Sequence, residues 1–141
     1  MTRAIPTLLP LALLFLGCDG IGEPDAAKRL GTIAHYQDPV VTEAPDTVDA
    51  GQPFEVAVRT YGNGCVEKGE TVVEPKPGSV SVWPYDLDSR RRDGLCLDFL
   101  AHHDHRATLV LREPGVTSIR FHGFSEPGAS QIEVVRQVVV R

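Results

Sequence analysis

The densest run of metal-ligand side chains in this 141-residue chain is His102-His103-Asp104-His105. In an extended segment, His103 and His105 project to one side, where paired imidazoles can share a Zn²⁺ or Cu²⁺ ion. His102 and Asp104 then face away, so a complete site needs a further ligand, with His35 and His122 as candidates. The plainer reading is a polar loop entering a strand at 106–111, because a His-rich tract is compositional evidence only. Asp86-Leu87-Asp88 and Asp93-Gly94 have the carboxylates of a calcium loop, but Arg90-Arg91-Arg92 places positive charge where oxygen ligands are needed. Gly62-Asn63-Gly64 follows a strand without opening an apolar helix, so it reads as a turn rather than a phosphate cradle. The chain has no Gly-x-Ser-x-Gly elbow and no His-Glu-x-x-His, and no nucleophile–base pair is evident. Trp83 and Tyr85 alternate along one strand and can form an aromatic platform; packing of Trp83 in the core is the competing expectation.

The N-terminus carries an address. Arg3 precedes an apolar stretch from Ala4 to Leu16, which is too short to span a bilayer and is interrupted by Pro6 and Pro10. It closes on Leu14-Phe15-Leu16-Gly17-Cys18, which resembles the lipobox of bacterial lipoproteins. That resemblance implies a signal peptide over 1–17, a diacylglycerol-carrying Cys18 and a mature chain anchored to a membrane of the cell envelope. An ordinary secretory signal cut elsewhere is the alternative. Asp19 matches a signal for retention in the inner membrane in some bacteria, and the choice of membrane stays open. With Cys18 assigned to lipid, Cys65 and Cys96 remain as one pair for a disulfide outside the cytosol. The alternative, two metal thiolates, lacks a second cysteine at ligand spacing. Residues 18–31 contain little to bury and read as a tether, with one helical turn conceivable at 26–30.

The remaining segment, 32–141, matches the ~100 residues of one β-sandwich. Phe54, Val56, Val58 and Thr60 alternate with polar neighbours between Gly51-Gln52-Pro53 and Gly62-Asn63-Gly64. Further strands are expected at 71–74, at 80–83 where Pro84 should halt the run, at 108–111, and at 116–122. Weaker candidates lie at 33–36, 40–42 and 95–100. The last strand, 131–140, has Ile132, Val134, Val138 and Val140 on one face and Val135 and Val139 on the other, as though covered twice or meeting a partner. These short runs predict an all-β, antiparallel sandwich of about seven to nine strands. Asp46-Thr47-Val48-Asp49-Ala50-Gly51-Gln52-Pro53-Phe54 and Glu113-Pro114-Gly115-Val116-Thr117-Ser118-Ile119-Arg120 are similar to strand entries of bacterial immunoglobulin-like domains. Cys96 departs from that pattern by falling well before the late 116–122 strand.

Charge narrows the function. The full chain carries −5, which becomes −6 once the single positive charge of Arg3 leaves, and an acidic domain lacks the basic footprint of nucleic-acid binding. The expectation is a lipid-anchored, non-enzymatic envelope module without cofactor that contacts a protein or surface polymer. A Zn²⁺- or Cu²⁺-binding envelope protein using His103 and His105 is the alternative.

Overall fold

The computed structural model describes residues 26–89 and 94–141. The lipobox and Arg90-Arg91-Arg92 lie outside them. Ten strands follow in order: β1 Ala27–Leu30, β2 Thr32–His35, β3 Thr42–Glu43, β4 Thr47–Val48, β5 Pro53–Gly62, β6 Val66–Lys76, β7 Ser79–Asp88, β8 Ala101–Val110, β9 Gly115–Glu126 and β10 Ser130–Val140. The chain is all-β. The expected count of seven to nine is exceeded, and the antiparallel expectation is corrected: β2–β9, β7–β9 and β4–β10 are parallel ladders within one mixed sheet. The strand order does not by itself establish an immunoglobulin-like sandwich. β2 is the link, pairing with β5 on one side and β9 on the other, so the sheet curls instead of dividing in two.

The core lies inside that curl. Val56 and Val58 of β5 and Leu109 of β8 meet Val80 and Val82 of β7, Ile119 and Phe121 of β9, and Val138 of β10. Ile33 and Phe121 are fully buried, and Ile33 fills the space beside Gly123, where any Cβ would overlap it. The alternation read from the sequence is therefore the inward face of each strand.

Four local expectations change. Residues 27–30 form β1 on the edge of β7 instead of a helical turn, with Ala27 opposite Asp88 and Leu30 opposite Tyr85, so the sheet begins ahead of Thr32. β7 runs through Pro84 to Asp88 because β6 shifts register between Lys68 and Thr71 at that point. A bulge is where a residue without an N–H is tolerated in a sheet. Gly69 lies in the shift, where an added Cβ would sit 2.4 Å from the Tyr85 carbonyl oxygen. The histidine tract is part of β8, held along its length by β5, with Gly62 opposite Ala101 and Arg59 opposite Asp104. Residues 95–100 are not a strand; they form a loop tied back by the Cys65–Cys96 disulfide, whose Cα atoms are 5.2 Å apart.

Candidate functional site

β8 alternates as extended backbone must: His103 and His105 turn inward while His102 and Asp104 face out. His105 is completely buried, and both ring nitrogens are engaged. Nε2 lies 2.9 Å from Asp86 Oδ1, and Nδ1 lies 3.1 Å from Thr71 Oγ1. Thr60 donates its hydroxyl to the same Asp86 oxygen at 3.1 Å. Asp86, one of the carboxylates weighed for a calcium loop, is thus the centre of a buried polar knot. Gly31 closes it, since a Cβ there would meet Thr60 at 2.3 Å and Asp86 Oδ2 at 2.9 Å.

The sequence asp–his–thr of contacts has the order of an acid–base–hydroxyl relay, but catalysis also needs a place for substrate beside the hydroxyl. His105 has no exposed surface, and neither it nor Thr71 lines the cleft described below. The knot is a structural one. The histidines proposed as extra metal ligands lie elsewhere. His122 stacks on Trp83 with ring centroids 3.8 Å apart, and His35 stacks on Tyr61 at 5.7 Å. Among the described residues, no group of three or more His, Cys, Asp or Glu side chains is placed to hold a metal ion.

Trp83 does not pack in the core. Its strand buries Val80, Val82, Pro84 and Asp86, which turns Trp83 and Tyr85 to the outer face. There Trp83 lies against His122 and donates its indole N–H to Glu74 at 3.2 Å, while the Lys28 ammonium sits 4.1 Å above the Tyr85 ring. Burial holds the His122 imidazole below its ordinary pKa, against the opposing pull of Glu133.

One concave surface lies at the end of the sheet where β2, the β5–β6 turn and the disulfide loop converge; another, of about 420 Å³, lies at the opposite end, beside the β6–β7 turn and residues 110–113. At the first end a cleft of about 410 Å³ opens, lined by Arg29 of β1, His35 and Tyr36 at the end of β2 beside Glu126 of β9, Tyr61 and Asn63 at the β5–β6 turn, and Asp98, Phe99 and Leu100 of the disulfide loop. Its aromatic wall is continuous: Tyr36 meets His35 edge-on at 4.7 Å, His35 stacks on Tyr61, and Tyr61 meets His102 edge-on at 5.3 Å. The Tyr61 hydroxyl donates to the Pro39 carbonyl at 2.9 Å, and burial, aided by Asp38, raises its pKa and keeps that proton in place. His35 is held by Asp38 at 3.2 Å, with Glu126 3.8 Å from its other nitrogen.

Tyr36 stands out in its backbone. It is a non-glycine residue at φ 50°, its N–H donates to the Glu126 carbonyl, and its side chain remains 67% exposed. A bulky residue kept in the left-handed region, with its ring offered to solvent at a cleft rim, is strain of the kind that collects at binding sites. Arg29 completes the wall. One amine lies 3.4 Å from Asp88, and its buried Nε has no hydrogen-bond partner among the described residues. A smaller cavity of about 290 Å³ shares Arg29 and Glu126 with this cleft.

Of these cleft residues only His35, as an added metal ligand, and Asn63, as part of a turn, stood out in the sequence, because the set comes from separate segments with no common spacing. The turn glycines were the available signal. Gly64 lets the loop approach so closely that a Cβ would come within 2.9 Å of Leu97 and Phe99. Among the described residues, no helix is long and apolar enough to cross a membrane. No protein-family model matches the chain, and neither the curated proteins nor the solved structures contain a match to it.

Proposed function

We propose that this protein is a lipid-anchored module of the bacterial cell envelope that binds a partner through the cleft at the disulfide-loop end of its sheet, without catalysing a reaction. The observation that carries the binding part is the aromatic row of Tyr36, His35 and Tyr61, which with Phe99 lines a cavity of about 410 Å³. Binding sites are typically concave, with apolar rings and a few convergent polar groups. Arg29, Asn63, Asp98 and Glu126 supply such groups from four different segments. The anchoring part rests on Gly17-Cys18 at the end of the apolar N-terminal stretch and on the pairing of the other two cysteines.

The test places a photo-crosslinking residue at position 36 in the native host. Crosslinks from this position to an envelope protein or surface polymer, absent when the same residue stands at Thr108 on β8, are the expected result. Equal labelling from both positions contradicts the cleft as the contact.

A further inference from the structure

The disulfide loop has one feature that cleft formation does not use. Leu95 is 99% exposed and Leu97 70%, and neither lines the cleft; Phe99 and Leu100 follow at 53% and 42%. Four large apolar side chains within six consecutive residues form a contiguous patch, whereas the other exposed large apolar residues are Tyr36 and valines of β8, β9 and β10. Such a patch on a soluble surface marks a contact site. Its backbone is already fixed: Gly64 N–H and Phe99 N–H both donate to the Leu97 carbonyl at 3.0 Å, and Cys96 is bonded to Cys65. Insertion would therefore order little that is not ordered already.

Topology says what the patch meets. Ala27 pairs with Asp88, and Ser89 N–H donates to the Cys65 carbonyl at 2.9 Å. The chain thus enters the sheet at the same end from which the apolar loop projects. Cys18 lies eight residues before Ala26, a reach of about 30 Å at full extension. A ten-residue strand such as β7 is itself about 33 Å long. A bilayer holding Cys18 is therefore closest to the loop end.

We propose that Leu95 and Leu97 insert into the lipid interface beneath the anchor, as a second membrane contact that orients the cleft at the bilayer surface. This rests on the anchoring reading above. Interfacial segments bury apolar side chains about 5–10 Å into the headgroup–acyl boundary, whereas a diacylglyceryl group at the end of a tether holds the protein at the bilayer without setting which face it turns to it. A second contact of this type fixes orientation as well as residence.

The experiment uses protein purified from its host and reconstituted into phosphatidylethanolamine–phosphatidylglycerol vesicles. Trp83→Phe removes the native fluorophore, and Leu95→Trp or Val116→Trp supplies a reporter at the loop or at the opposite end of the sheet. The expected result is blue-shifted emission from position 95 that lipids brominated near the headgroup quench, with position 116 unquenched. Equal quenching at the two positions overturns the proposal, as does a blue shift at position 95 that brominated lipid leaves unquenched, which would indicate burial against a second copy of this chain. The mass of the same sample separates the two readings. Acylated protein with an unquenched loop sinks only this inference. Quenching at position 95 in a chain without lipid keeps the loop contact and sinks the anchor.

Discussion

His105 and Asp86 illustrate how far residue type alone misleads. A histidine in a tract and an aspartate in an acidic pair both suggest an exposed ion site, yet the two bond each other where neither has solvent. His105→Leu leaves the Asp86 carboxylate buried with only the Thr60 hydroxyl, and should destabilise the fold by about 3 kcal/mol in urea unfolding. The double change His105→Leu/Asp86→Leu should recover part of that loss, because removing both partners leaves no buried charge unpaired. His122 gives a pH test. Its folded pKa lies below the ordinary value, so as pH falls through about 6.5 the unfolded chain takes up a proton that the folded chain refuses. Stability should therefore decline on acidification across that window. His122→Phe, which keeps a ring on Trp83, should flatten the difference in unfolding midpoint between pH 8 and pH 5 (about the span of that titration). That His103 and His105 share one side was legible from period-two alternation, but that this side is the interior was not, nor were the partners of His105. Asp86 and Thr71 lie 19 and 34 residues away in the chain, and no local pattern encodes that distance.

At the scale of elements, alternation located the inner faces of β5, β9 and β10 correctly, because it reports which side chains must leave water. It misjudged elements whose state depends on a neighbour. Pro84 reads as a stop until the bulge in β6 is known, and the histidine tract reads as a loop until β5 is seen to pair along all of it. The bulge makes a sharp prediction: Gly69→Ala must push against the Tyr85 carbonyl and should cost about 2 kcal/mol, far more than an exposed strand glycine would. The loop at 95–100 is held chiefly by its disulfide. The cysteines are 31 residues apart, so Cys65→Ser/Cys96→Ser should lower stability by about 3–4 kcal/mol through the freed unfolded chain. The same variant should weaken any ligand of the cleft, since Asp98, Phe99 and Leu100 lose their fixed position. Loss of stability with undiminished cleft crosslinking from position 36 would show that the loop is not part of the binding wall.

For the whole molecule, composition and strand punctuation were enough for the all-β class, since no stretch of 32–141 has a sustained helical period. They were not enough for connectivity. The parallel pairing of β7 with β9 and the role of β2 as a link between β5 and β9 depend on contacts across the whole chain. The cleft was equally hidden, because closing the curl is what brings Arg29, Tyr61 and Phe99 together. The global reading is of a small acidic domain whose N-terminal entry, disulfide loop and cleft share one end of the sheet. The opposite end, at Ser79 and Gly115, carries a separate cleft of about 420 Å³. That arrangement suits a module held at a membrane by a short tether.

The anchored reading rests on the chemistry of three sulfur atoms, and an intact-mass measurement of the protein purified from its native host reads all three. The account predicts a chain that starts at Cys18, heavier than its sequence by a diacylglyceryl modification, and two hydrogens lighter for the Cys65–Cys96 bond. A polypeptide beginning at Met1, unacylated and titrating three free thiols, would contradict it.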